Sequence, residues 1–300
     1  MSGRSGGLDP AAGSAGSGSR LTRMLDDARL ARMARELADV DGVEAVVLGG
    51  SRARGTHRPD SDVDVGLYYD RARLDTGALE RLAREWAGQP VDVAPPGGWG
   101  PWVDGGAWLN LDGIAVDWIL RDLARVEEQC RRAGRGEFDV FTQPGHPFGF
   151  LDVAYAGEVA VDRPLAGRTE LLDRLRALVT PYQSALRDAL IHRQWQFDFL
   201  LDSAVKAAKA GDVAYVMLCA TNAVMIAAHA WHALAGSWVT NEKALVTGVA
   251  RLELDTHGFA DAAARGLSSK GRTPEELRDG IATIRALPRP SQPGVEAQAG

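Results

Sequence analysis

The sequence has little cysteine and no excess of basic residues, and each shortage excludes a class of protein. Its 300 residues include two cysteines, Cys130 and Cys219, which are too few for a disulfide framework and show no metal-ligand spacing with the six histidines. We therefore expect a reducing, cytoplasmic location. Lysine and arginine total 34 against 40 aspartates and glutamates. The chain thus lacks the basic surface that proteins binding long nucleic acids use to displace counterions.

Several catalytic and targeting patterns are also missing. The sequence contains no Walker-type phosphate loop, no zinc pattern and no nucleophile elbow. Residues 1–19 are rich in glycine and serine without the apolar core of a signal peptide, so we expect a disordered tail there and another over 288–300. Residues 213–235 are uncharged and long enough to cross a bilayer. Their alanines, polar residues and caps favour a buried bundle helix, and no membrane partner is expected.

Residue patterning predicts two domains, over residues 20–166 and 167–287. The first alternates strands and helices, with a helix ending at Asp41-Gly42, strands at 43–48, 62–69 and 91–93, a helix at 76–87, and a hairpin turning at Asp112-Gly113. The second carries helical patterns over 170–179, 186–210, 213–235, 241–252 and 274–286. We therefore expect an α+β fold in which a mixed-sheet domain is followed by an all-α helical bundle.

Residues 48–69, LGGSRARGTHRPDSDVDVGLYY, carry the most specific chemistry. The glycines that end the first strand let the backbone approach a ligand, and free amides with the Ser51 hydroxyl can hold phosphate oxygens. Asp62 and Asp64 are two residues apart on a strand and therefore share one face. Adjacent carboxylates resist joint ionisation unless a cation lies between them. Because Mg²⁺ prefers carboxylates together with phosphate oxygens, the segment predicts a magnesium site beside a phosphate site.

A third carboxylate is expected, because a pair of metal ions that clamps an in-line displacement needs more ligands than two aspartates supply. In the strand pattern IAVDWIL, Asp117 is a charge within an apolar strand, and such a charge is costly unless it is paired or bound to metal. Asp117 is the predicted ligand and a candidate general base for an acceptor hydroxyl. Asp92, in the similar VDV segment, is the alternative.

Together these motifs resemble the DNA polymerase β-like nucleotidyltransferase superfamily. The GGSRARG and SDVDVGL motifs are similar to those of the bacterial minimal and aminoglycoside-modifying branches. The layout of the helical region that follows is similar to the helical domain of the kanamycin nucleotidyltransferase type. The resemblance runs from Gly49 to Asp117. It implies a mixed-sheet nucleotidyltransferase domain with two Mg²⁺ ions bound by Asp62, Asp64 and Asp117, and triphosphate contacts at Gly50, Ser51 and Ser61. It also implies transfer of a nucleoside monophosphate, with AMP from ATP favoured, onto a hydroxyl.

The resemblance leaves the acceptor and the role of the helical domain open. A small-molecule acceptor is favoured, and the alternatives are AMP transfer to a protein or tRNA and a non-catalytic nucleotide-binding regulator. Lys243 could grip the triphosphate or serve in a cap or salt bridge. Trp99, Trp102 and Trp108 could stack on a ligand ring or anchor their Gly-rich loop.

Overall fold

The computed structural model describes residues 26–58, 60–268 and 271–291. The predicted first tail, and the beginning of the helix predicted from residue 20, lie outside these ranges, as does residue 292 onward. The few residues described after 287 correct the predicted start of the second tail. The carbonyl oxygen of Pro288 accepts a hydrogen bond from Trp231, and Arg289 forms an ion pair with Asp198 at 3.0 Å. The helical unit therefore extends past residue 287.

The described residues form seven strands and twelve α-helices. The strands are β1 Val43–Leu48, β2 Val63–Tyr69, β3 Gly106–Leu111, β4 Ile114–Asp122, β5 Val140–Gln143, β6 His146–Leu151 and β7 Arg163–Gly167. The helices are α1 Asp27–Ala38, α2 Gly50–Ala53, α3 Thr76–Ala87, α4 Leu123–Gly134, α5 Ala154–Val161, α6 Thr169–Val179, α7 Ser184–His192, α8 Trp195–Ala208, α9 Val213–Leu234, α10 Leu245–Gly248, α11 Phe259–Ser268 and α12 Pro274–Arg285.

Five strands form one sheet in the order β3-β4-β2-β1-β7, and only the β2–β4 pair is parallel. One face of the sheet buries Val65 and Trp118 in a core shared with α1 and α3. The other face places Val47 and Tyr68 in a second core shared with α4, α5 and α6. A third core lies entirely among the later helices. This arrangement confirms the predicted α+β class, in which a mixed sheet is followed by a largely helical region.

Local sequence signals explain the best-predicted elements. Helix α3 has the predicted bounds, because Asp75 caps its start and Gly88 ends it with a φ of 65°. The β3–β4 hairpin turns at Asp112 and Gly113, which have φ angles of 56° and 92°. Positive φ at both central positions is typical of a tight hairpin turn.

Three predicted elements are wrong. Residues 91–93 form no strand, and only Ala94 makes an isolated bridge to Gly106. The helix predicted over 186–210 breaks between α7 and α8, where Arg193 lies over the rings of Phe138 and Phe148. The helix predicted over 241–252 is reduced to α10 and a 3-10 turn, because Ala244 adopts a left-handed φ of 59°. Tertiary contacts and backbone geometry override the helical periodicity at the last two sites.

Helix α9 is the one described helix that is long and apolar enough to cross a membrane. It lies at the centre of the helical region and contacts α7, α8, α10, α11 and α12. These contacts support its interpretation as a core helix.

Candidate active site

Strand register places two of the predicted carboxylates side by side. Asp64 on β2 lies directly opposite Asp117 on the parallel strand β4, and Asp117 in turn lies opposite Trp108 on β3. Residues paired across neighbouring strands share a sheet face, so the three side chains form a row. Their neighbours Val65 and Trp118 point into the core on the opposite face. Asp62 precedes β2 and is exposed.

The electrostatics of these carboxylates are coupled. Burial raises the pKa of Asp64, and the charges of Asp62 and Glu158 raise it further. Burial raises the pKa of Asp117 to about 6, with further contributions from Asp64 and Asp62. The positive charge of Lys243 lowers both pKa values. Charged residues predicted from the sheet domain and from the helical region therefore act on the same two carboxyl groups, Asp64 and Asp117.

The chemistry of this donor set fits a hard divalent cation, because all three side chains offer carboxylate oxygens. Strand register and charge bring these carboxylates to one region of the sheet. Their side chains do not form a complete coordination shell for a metal ion. Among the described residues, no group of three or more His, Cys, Asp or Glu side chains is gathered closely enough to hold one metal ion.

Gly50 supports Asp64 from the end of β1. Its φ is 60°, and an added Cβ atom would overlap the Asp64 carboxylate oxygen. The Gly49 N–H donates to the Asp64 carbonyl oxygen at 2.8 Å, which fixes this approach. The predicted ligand-approach glycine thus has a specific structural task, which is to admit the Asp64 side chain.

We expect Gly50→Ala to reduce nucleotidyl transfer by about 100-fold, because an Asp64 carboxylate displaced by ~1 Å no longer lines up with its reaction partners. Gly55→Ala is the matched control, since Gly55 has a similar φ of 68° but nothing within 4 Å of an added Cβ. Initial rates with α-labelled ATP and melting temperatures measure the two effects. Equal loss of activity in both variants would assign the effect to backbone strain alone.

The two serines predicted to contact phosphate differ in the hydrogen bonds of their hydroxyl groups. Ser51 lies in the single turn α2, and among the described residues no side chain or backbone group bonds its hydroxyl. The Ser61 hydroxyl accepts a hydrogen bond from the Arg58 N–H at 2.9 Å. Arg52 donates to the carbonyl oxygens of Ser61 and Asp62, so it holds the backbone before β2. Ser51 is therefore the freer of the two predicted phosphate contacts.

Segments from the helical region reach the site. The Arg54 guanidinium donates to the Thr240 hydroxyl at 2.6 Å, and Glu242 accepts the Phe148 N–H at 3.1 Å. Lys243 is exposed and makes no ion pair with any described residue.

Asp92, the alternative third carboxylate, is exposed and belongs to no strand. Strand register thus favours Asp117 over Asp92.

Sequence reasoning missed a second acidic group beside the row. Asp162 follows α5, and an atom added to Gly49 would lie 3.3 Å from its carboxylate. Burial raises the pKa of Asp162 well above its usual range, as do the charges of Glu158 and Asp64, whereas the nearby Arg121 lowers it. The available sequence signal was the position of Asp162, which lies four residues after Glu158 at the end of a short apolar helix.

We expect Asp117→Asn to stabilise the metal-free protein at neutral pH. The folded pKa of about 6 lies above the ordinary 3.8, so the folded state binds this proton more tightly than the unfolded state. The free energy of unfolding therefore falls as the pH rises from 3.8 to about 6. The variant should therefore exceed the wild type by about 1–3 kcal/mol at pH 8 and match it near pH 4. Urea unfolding at the two pH values measures the difference. Asp92→Asn, on an exposed segment, is the control, and a variant less stable than wild type at pH 8 would contradict the expectation.

Residues 30–101 match the family model described as the nucleotidyltransferase domain. This chain carries a nucleotidyltransferase domain. The match includes Gly50, Ser51, Asp62 and Asp64 of the domain and ends before Asp117. It is consistent with the polymerase β-like superfamily that the motifs resemble. No curated protein is similar enough to the chain to be matched.

Proposed function

We propose that this chain transfers AMP from ATP to the hydroxyl of a small-molecule acceptor and releases pyrophosphate. The nucleotidyltransferase domain supports transfer of a nucleoside monophosphate in general terms. The in-register placement of Asp64 beside Asp117, next to the close approach at Gly50, is the observation that carries the proposal. We propose the cytoplasm as its location, since both cysteines are buried free thiols.

In the proposed reaction the acceptor oxygen bonds to the α-phosphorus while the bond to the β-phosphate breaks. Mg²⁺ held by Asp62, Asp64 and Asp117 would neutralise charge on the phosphates. Gly50 and Ser51 hold the outgoing phosphates, and Lys243 adds a positive charge from the helical region. Asp117 also takes the proton of the acceptor hydroxyl in this proposal.

Label transfer tests the proposal. The protein is incubated with Mg²⁺, a cell extract and ATP labelled at either the α- or the γ-phosphate, in parallel with the other three NTPs. We expect label in a small molecule from α-labelled ATP alone, and release of labelled pyrophosphate from γ-labelled ATP. Label in protein or tRNA would instead support AMP transfer to a macromolecule. Nucleotide binding that survives Asp64→Asn, without any label transfer by the wild type, would support a nucleotide-binding regulator.

A further inference from the structure

Two tryptophans form an exposed stack beside the carboxylate row. The rings of Trp99 and Trp108 are 4.2 Å apart and inclined by 12°. Trp108 is nevertheless 66% exposed, because Trp99 covers only one of its ring faces. Among the described residues no other ring or cation stacks on Trp108. One flat apolar face therefore lies open to solvent on the same side of the sheet as Asp117.

The stack is held rigidly. Trp99 lies over the sheet, where an atom added to Gly106 would be 3.1 Å from its ring. The Trp99 carbonyl oxygen accepts a hydrogen bond from the Gln143 side chain at 2.9 Å. Gln143 also accepts the N–H groups of Trp102 and Val103, so the loop is fixed to the β5–β6 hairpin. A surface ordered before binding loses little entropy when a ligand stacks on it.

Strand order decides which part of the reaction this stack faces. Across the sheet face the sequence of groups is Gly50, Asp64, Asp117 and Trp108. In an in-line displacement the attacking oxygen and the leaving group lie on opposite sides of the phosphorus. Pyrophosphate leaving toward Gly50 thus places the attacking hydroxyl on the Trp108 side. Neighbouring strands are ~4.8 Å apart, so Trp108 lies one strand beyond Asp117.

We propose that the exposed face of Trp108 binds the acceptor by stacking on a hydroxylated ring, so that the acceptor is a small ring compound rather than a chain alcohol or a polynucleotide. This inference rests on the proposed function. Planar rings and the apolar faces of sugar rings both pack well on an indole ring.

Charge argues against a polynucleotide on this surface. Binding of a phosphate backbone requires several free cations. The arginines near the tryptophan loop are already engaged, since Arg71 pairs with Asp104 and Asp122, and Arg125 donates to the Pro101 carbonyl oxygen. A small ring acceptor needs the stacking face and no such cations.

The test compares wild type with Trp108→Ala and Trp108→Phe, and uses Trp195→Ala as the control. Trp195 is also exposed, at 52%, but lies on α8. Calorimetry measures binding of Mg²⁺ with a non-hydrolysable ATP analogue. Label transfer from α-labelled ATP is measured against increasing amounts of a cell extract freed of protein and nucleic acid. Wild-type label is also located in the whole extract.

We expect Trp108→Ala to bind the analogue within about twofold of wild type but to need about tenfold more extract, or more, for half-maximal labelling. Trp108→Phe should recover most of the loss, and Trp195→Ala should match wild type. Loss of analogue binding in Trp108→Ala would assign the stack to the nucleobase and overturn the inference. Unchanged labelling by Trp108→Ala, or wild-type label confined to whole-extract RNA or protein, would also overturn it. A wild type that neither binds the analogue nor transfers label would instead refute the proposed function.

Discussion

The Asp64→Asn variant is expected to lose nucleotidyl transfer by about 10³-fold, which corresponds to the several kcal/mol that a metal-binding carboxylate supplies to phosphoryl chemistry. Asp64 lies opposite Asp117 and against Gly50, so its carboxylate lies between Asp117 and the glycine of the predicted phosphate site. The measurement is the initial rate of transfer from α-labelled ATP at saturating Mg²⁺.

Stability separates this loss from misfolding. The pKa of Asp64 is raised by burial and by Asp62, so a neutral amide should leave the fold at least as stable at neutral pH. Asp92→Asn is the matched control because Asp92 is exposed and belongs to no strand. If Asp64→Asn keeps more than a tenth of wild-type transfer, Asp64 does not have the role assigned to it.

Arg121→Met is expected to lower the free energy of unfolding by about 3–5 kcal/mol, the range seen when one partner of a buried ion pair is removed. Arg121 donates to both oxygens of Glu158 at 2.5 and 2.6 Å, and its side chain is only 8% exposed. It also lies 5.2 Å from the ring of Tyr155. Without it, Glu158 stays partly buried without its partner, near Asp162 and Asp64, whose pKa values its charge already raises.

Urea unfolding at pH 7 measures this loss through the transition midpoint at unchanged slope. The double variant Arg121→Met with Glu158→Leu is the informative control, because it removes the stranded charge together with its partner. We expect it to recover most of the stability. A loss below about 1 kcal/mol in the single variant would show that solvent or local rearrangement compensates Glu158.

Local patterns were sufficient for the parts of the site that lie within single strands. The buried run 43–48, the alternation around Asp64 and the Asp112-Gly113 turn each specify an element from its own residues. Because strand periodicity fixes which side chains share a face, the shared face of Asp64 and Asp117 was predictable once β2 and β4 were neighbours.

Features that depend on distant contacts were not predictable in the same way. Strand β7 contains Pro164 and ends at Gly167, residues that argue against a strand, yet a proline is tolerated at the edge position that β7 holds. The approach of Asp162 to Gly49 joins residues more than a hundred positions apart. The loop that carries Trp99 is likewise held by Gln143, on a hairpin that local patterning did not reveal.

The edge position of β3 in the sheet separates the exposed Trp108 ring from the strands that carry the carboxylates. Asp64 and Asp117 belong to interior strands whose register is fixed on both sides, whereas Trp108 sits on a border strand joined to its loop. Replacing the Trp108 side chain or its loop would leave the backbone pairing of β2, β3 and β4 that positions the carboxylates unchanged. In the proposed function, selectivity for the recipient of the nucleotide can therefore be changed by engineering at Trp108 without altering the carboxylates that carry the transfer.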